Sequence, residues 1–176
     1  MILNHQIVVA TEADAVPLAA LHKAVADHLT QQYGQGRWSS APTERGVLVG
    51  LRKPKFSRTL TMRRNGQIIA TLRLATKKPW AIDTKYFTES KRPLYLTGMA
   101  VHPDFQGKGI GRLLLKGAEA AARAWPADTI RLDAFDAKAG AAQFYAKCGF
   151  REVARVSYKG NPLIYFELML PALADF

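Results

Sequence analysis

Residues 101–112 read Val101-His102-Pro103-Asp104-Phe105-Gln106-Gly107-Lys108-Gly109-Ile110-Gly111-Arg112. The stretch joins an apolar run, residues 94–101, to a segment in which Ile110, Leu113, Leu114, Ala118 and Ala121 recur at helical spacing and Pro126 stops the pattern. Three glycines alternate with other residues where the helix begins. Glycine lets the backbone turn tightly and come close to a ligand. The first turn of a helix offers unpaired N–H groups and the positive end of its dipole. Together these make an anion cradle suited to a pyrophosphate, with Lys108 and Arg112 adding charge beside it. The order is G-x-G-x-G and follows the fourth predicted strand, and no G-x-x-x-x-G-K-[ST] loop is present. The usual dinucleotide and nucleoside-triphosphate readings therefore do not fit. The plain alternative is a glycine-rich turn that holds nothing.

Outward from this join, residues 5–10 form a β-branched run and read as a strand. Thr11, three residues before Asp14, is a helix start, and Val16, Leu18, Leu21, Val25 and Leu29 carry that helix to about Gln32. Residues 33–42 are loop by composition, and 43–51 form a short helix. Residues 58–64 and 67–75 flank Asn65-Gly66, the strongest short hairpin signal. A long connection, 76–92, leads to the strand over 94–101, where Gly98 predicts a bulge or a close backbone approach. Beyond the central helix come a strand over 129–135, a helix over 139–147 ended by Gly149, and strands over 153–158 and 163–170 joined at Lys159-Gly160-Asn161. No repeat, low-complexity segment or linker divides the chain, so residues 1–176 are expected to form one domain.

The chain has 176 residues, 25 Lys+Arg against 14 Asp+Glu, and a formal net charge of +11. Its 48% hydrophobic content is too high for a disordered chain. One cysteine, Cys148, excludes an intramolecular disulfide and a cysteine-based zinc site, and no metal is expected. No apolar run approaches the ~20 residues of a membrane span, and no secretory signal is apparent, so a cytoplasmic protein is expected. The charge is uneven: residues 45–81 hold ten basic groups and no acidic one. Such a stretch attracts anions, and nucleic acid is one candidate. Aromatic residues do not interleave with the charges as a stacking platform requires, so a solvated face is preferred.

Met99-Ala100-Val101-His102-Pro103, followed by Gln106-Gly107-Lys108-Gly109-Ile110-Gly111, resembles the acetyl-CoA signature of the GNAT superfamily of N-acetyltransferases. Gln143-Phe144-Tyr145-Ala146-Lys147-Cys148-Gly149-Phe150 resembles the family's second motif, which ends Y-x-K-x-G-F. The resemblance implies an α/β fold: a mixed, mostly antiparallel sheet of about seven strands, split centrally, with helices on both faces. It implies that acetyl-CoA is co-substrate. Its pantetheine arm would pair with the strand around Met99, Ala100 and Val101, and its pyrophosphate would sit on N–H groups from Gln106 through Gly107, Lys108, Gly109, Ile110 and Gly111 to Arg112. A strand N–H near Met99 would polarise the thioester carbonyl.

The resemblance makes Tyr145 the general acid. A phenol titrates near 10 and a thiol near 8.5, so Tyr145 stays protonated at neutral pH and can donate to the departing sulfur. The alternative for Tyr145 is a core aromatic. Two positions depart from the family pattern: Lys138 stands where many relatives carry Asn, and Thr97 where many carry a Glu that acts as general base. The base is therefore unassigned, with Asp83, Glu89 and Tyr86 as candidates. Cys148 reads as buried packing and His102 as a capping or exposed histidine.

The expected activity is acetyl transfer by direct attack to a primary amine of a small molecule or a protein N-terminus. The alternative is a sensor of acetyl-CoA, or a module on the same fold that binds RNA or an acidic partner. Because the segments expected to line the acceptor side are net basic, polyamines and aminoglycosides fit less well than a neutral or anionic amine. Trp38, Trp80, Tyr86 and Phe87 are candidates for an apolar acceptor pocket. A monomer or homodimer is expected.

Overall fold

Two tight turns set much of the strand pairing in the computed structural model, which describes residues 5–172. Asn65 and Gly66 have φ of 50° and 79°, and Lys159 and Gly160 have φ of 50° and 76°. Positive φ at both central residues gives the turn whose twist matches that of the flanking strands. The first turn joins β2 (Ser57–Arg64) to β3 (Gln67–Ala75), and the second joins β6 (Arg151–Tyr158) to β7 (Asn161–Met169). The remaining elements are β1 (Gln6–Val9), α1 (Ala15–Tyr33), α2 (Glu44–Leu51), β4 (Pro93–Val101), α3 (Ile110–Ala124), β5 (Thr129–Phe135) and α4 (Ala142–Lys147).

The strands form a seven-stranded sheet in the order β1-β2-β3-β4-β5-β7-β6. β1 with β2, β5 with β7, and β6 with β7 pair antiparallel. β4 and β5 are parallel, as a strand–helix–strand crossover through α3 requires. Their pairing runs from Pro93↔Thr129 to Tyr95↔Arg131.

Several boundaries differ from the sequence reading. α4 starts at Ala142 rather than 139, because the Gly140 N–H bonds to the Ala137 carbonyl at 2.9 Å and closes a turn there. β6 starts at Arg151 rather than 153, and a bulge between Glu152 and Ala154 interrupts its pairing with β7 near that end. The loop over 33–42 holds a 3-10 turn, Arg37–Ser39, and a second such turn, Glu12–Asp14, precedes α1. Asp14 accepts the Thr11 N–H at 2.9 Å, the acidic half of the expected start signal.

The chain divides into two compact units. The first comprises residues up to Leu74 with Thr97–Ala118. Its core joins Leu18 and Leu21 of α1 to Ile68 of β3 and Ala100 of β4, with Val47 and Leu51 of α2 packed against them. Asp14 is buried and pairs with Arg63 at 2.8 Å. Burial alone would raise its carboxyl; hydrogen bonds from Arg63 and the Thr11 N–H outweigh that and hold it below the usual value.

The second unit comprises Ala75–Leu96 and the chain from Glu119 onward. There Ile82, Phe87, Tyr95 and Tyr165 form a core that fastens the long connection to the sheet. Glu167, 1% exposed in the middle of β7, accepts the Thr88 N–H at 3.1 Å and the Thr88 hydroxyl at 2.6 Å, and pairs with Arg151. Buried Arg131 donates to the Thr88 carbonyl at 2.7 Å and lies over the Phe87 ring. Residues 76–92 are thus held by buried polar bonds as well as by apolar packing.

Candidate active site

The join that opens the sequence reading is a continuous structure in the first unit. β4 ends at Val101, a 3-10 turn spans Pro103–Phe105, and α3 begins at Ile110. The His102 N–H bonds to the Ile69 carbonyl at 2.8 Å, which ties the turn to β3, and His102 Nδ1 accepts the Asp104 N–H at 3.2 Å. This is the capping histidine expected from the sequence. Residues 106–109 are exposed, and Ile110 and Gly111 are buried. Gly107 and Gly109 have φ of 71° and 78°, and a Cβ built on either would meet no atom within 4 Å. The glycines therefore serve the backbone path, and the space above them is open. The first intrahelical bond runs from the Leu113 N–H to the Gly109 carbonyl at 3.1 Å, so the N–H groups of Ile110 and Gly111 precede it.

Of the ten residues assigned to the cofactor, all lie on this one path, but their side chains divide. Gln106 donates to the Val101 carbonyl at 2.9 Å, and Lys108 donates to the Asp104 carbonyl at 3.0 Å. Both brace the turn from within. Ile110 is 4% exposed and Ala100 is 5% exposed, so each offers a ligand only its backbone.

Upstream, Gly98 stands in the middle of β4 with φ of 60°. It is exposed, whereas Leu94, Tyr95, Leu96 and Ala100 are buried. The kink follows directly on the end of the β4–β5 pairing at Tyr95. From α1, the His22 ring places Cε1 3.7 Å from where a Cβ on Gly98 would stand. Burial alone pushes this imidazole below its ordinary value.

In the second unit Tyr145 is 6% exposed on α4. Its ring meets Phe144, Phe150 and Phe166 at centroid distances of 5.3, 5.6 and 6.1 Å. Burial, with the charges of Asp133 and Cys148, pushes the phenol well above its ordinary value. Asp133 is itself raised by burial. Cys148 is half-buried rather than fully packed away.

The candidates on the long connection fare differently. Asp83 accepts the Lys85 N–H at 3.2 Å and pairs with the Lys85 ammonium at 3.2 Å, and these bonds hold its carboxyl below the usual range. Held as an ion pair, it is a weak base. Phe87 is buried and Tyr86 is 43% exposed, so only the latter faces solvent. Trp80 is 84% exposed and forms no part of the core. Trp38 donates to the Gly34 carbonyl at 2.9 Å and lies against Gly36, where a Cβ would stand 2.4 Å from the indole.

The sequence matches the Acetyltransferase (GNAT) family over residues 22–150. The chain belongs to this family. An aminoglycoside N(6')-acetyltransferase type 1 from Stenotrophomonas maltophilia is 41% identical over 80 residues, covering 43% of this chain and 50% of that protein. The match thus spans about half the length of that relative. Among solved structures, yncA of Salmonella typhimurium with its cofactor acetyl-CoA aligns with a TM-score of 0.68 at 19% identity, over 97% of this chain and 96% of that one. The paia N-acetyltransferase from Thermoplasma acidophilum, in complex with coenzyme A, aligns with a TM-score of 0.70 at 14% identity, over 92% and 98%. At these identities the likeness is one of fold. The seven-stranded, mostly antiparallel sheet expected from the GNAT resemblance is present.

Two features of the structure escaped the sequence reading. His22 interrupts the apolar stripe of α1, four residues after Leu18 and three before Val25, which was a legible signal. Glu167 lies inside the apolar run of β7, and a carboxylate there announces a buried partner.

Proposed function

We propose that the protein is an acetyl-CoA-dependent N-acetyltransferase that acetylates a primary amine of a small molecule or of a protein N-terminus by direct attack. The observation that carries the proposal is the exposed glycine turn at the start of α3, which leaves open space over Gly107 and Gly109 and N–H groups ahead of the first helical bond. That geometry fits a pyrophosphate, because the helix terminus supplies both donors and favourable charge. Backbone from Gln106 to Arg112 would hold the pyrophosphate, and backbone of Met99, Ala100 and Val101 would receive the pantetheine arm. Acetyl-CoA, when bound, supplies a thioester open to attack and a thiolate leaving group. Tyr145 holds a proton for that thiolate. Its raised pKa keeps the phenol protonated throughout the physiological range, so it can act as an acid and not as a base.

Electrostatics bear on the acceptor. Within residues 5–74, three of the four carboxylates are already committed: Glu12 to Arg52 at 3.2 Å, Asp14 to Arg63 at 2.8 Å, and Asp27 to Lys23. Ten basic groups share the same segment. A polycation would find little uncommitted negative charge there. A neutral or anionic amine therefore suits this chain better than the aminoglycosides named for its relative.

The test is an amine panel that follows CoA release, with kanamycin, single amino acids and a short peptide as arms. It is accompanied by thermal melts with acetyl-CoA and with RNA. A ligand at 100 times its Kd stabilises by about 2.7 kcal/mol, or roughly 5–10 °C for a chain of this length. Acetyl-CoA is expected to raise Tm, and a neutral or anionic amine to release CoA. Best turnover with kanamycin would overturn the acceptor class alone. Absence of both a shift with acetyl-CoA and CoA release would overturn the acetyl-transfer reading.

A further inference from the structure

We propose that His22 is the general base of the acetyl transfer, taking the proton that the acceptor amine gives up beside the β4 kink. The inference rests on the acetyl-transfer reading above. Direct attack needs a proton acceptor, and residues 97–101 of β4 carry no titratable side chain. The structure brings one to that strand from α1.

The geometry is specific. Gly98 is the exposed residue of β4, and the His22 ring edge faces it, with Cε1 3.7 Å from the site of an absent Cβ. A side chain longer than a methyl at position 98 would fill the space in front of the ring. Glycine therefore does two things here: it allows the left-handed kink and it keeps the ring open to a reactant lying along the strand. Among the described residues, no hydrogen bond or ion pair engages the His22 ring nitrogens.

The ring is also in the right protonation state. Burial is the sole cause of its depressed pKa, so the imidazole is neutral at pH 7 and carries a lone pair. The charged groups on its own helix are Lys23, Asp27 and His28. Those on packed helical elements are Glu12, Asp14, Arg37, Glu44, Arg45 and Asp104, and those on β2 and β3 include Arg63 and Arg73. None of these enters the cause of the shift.

The step balances. The amine nitrogen uses its lone pair to form the C–N bond, and the C–S bond breaks with its electron pair leaving on sulfur. The proton shed by nitrogen passes to the imidazole, and the thiolate takes one from the phenol of Tyr145. Proton exchange with water then resets both side chains.

The experiment uses the full chain with acetyl-CoA and the best amine of the panel. His22→Gln and His22→Ala are expected to lose roughly 10²–10³-fold in kcat, with acetyl-CoA affinity by calorimetry unchanged. Added imidazole should restore turnover to His22→Ala in proportion to its concentration. In the free wild-type protein, the Cε1 proton of His22 should titrate below about 6.5, followed by NMR. Any one of three results overturns the assignment: kcat of both variants within about threefold of wild type, no response of His22→Ala to imidazole, or a His22 titration at or above the ordinary histidine value. The NMR titration decides even where the variants fold poorly. A wild-type protein that binds acetyl-CoA and releases no CoA with any amine instead sinks the transferase reading, and this inference falls with it.

Discussion

Replacing Gly109 by valine separates the role of the turn in binding from its role in folding. Gly109 has φ of 78°, and a Cβ there meets nothing within 4 Å. The folded protein therefore pays no steric clash, only the left-handed backbone, at about 1–2 kcal/mol, with somewhat more for a β-branched residue. At roughly 2–4 °C per kcal/mol, Tm should fall by about 2–8 °C. Gly160 is a matched control: its φ is 76°, and its Cβ would also meet nothing within 4 Å, but it sits in the β6–β7 turn. Gly160→Val should cost the same stability. Binding should distinguish them. In Gly109→Val the side chain occupies the open space above the turn and keeps phosphate oxygens from the N–H groups of Ile110 and Gly111. Hydrogen bonds to charged groups are worth about 1.5–3 kcal/mol each, so losing two weakens acetyl-CoA by roughly 10²–10⁴-fold. Isothermal calorimetry on both variants, with melts alongside, makes the comparison. If Gly109→Val and Gly160→Val bind acetyl-CoA equally well, the anion-cradle reasoning is refuted.

Tyr145→Phe keeps the ring contacts with Phe144, Phe150 and Phe166 and removes only the hydroxyl. Its kcat should fall by roughly 10²–10⁴-fold with acetyl-CoA affinity little changed, and a variant with wild-type kcat would return Tyr145 to the core. Because the phenol is raised by burial and by Asp133 and Cys148, wild-type kcat should show no basic limb attributable to Tyr145 below about pH 10. Glu167→Gln should destabilise by about 2 kcal/mol at pH 7, or roughly 4–8 °C, mainly through the bonds to Thr88, since Arg151 is 67% exposed and screened. Burial would raise Glu167, but Thr88 and Arg151 outweigh it and the folded pKa lies below the ordinary value. That contribution is present above the unfolded pKa of about 4.3 and is lost as pH falls through the folded one, so the gap between variant and wild type should close in acid. A gap that widens below pH 4 would contradict this sign.

Much of the site's backbone was legible in the sequence because its causes are local. Positive φ at Gly107 and Gly109, the helix start at Ile110 and the Asn65-Gly66 turn depend on residues a few positions apart, and the chain carries those wherever it folds. β3 and β5 have the expected extent. Burial is not local. Nothing near Trp80 in the chain distinguishes a core indole from one 84% exposed, and nothing near Tyr145 says that Asp133, on another element, raises its phenol. His22 and Gly98 lie 76 positions apart, and Thr88 and Glu167 lie 79 apart. Only packing of α1 on β4, and of the long connection on β7, makes them neighbours. The sequence by itself determined which backbone could hold an anion. The tertiary structure decided which side chains lost their water, and desolvation holds the His22 imidazole and the Tyr145 phenol in their neutral forms over a wider pH range than the free groups would show.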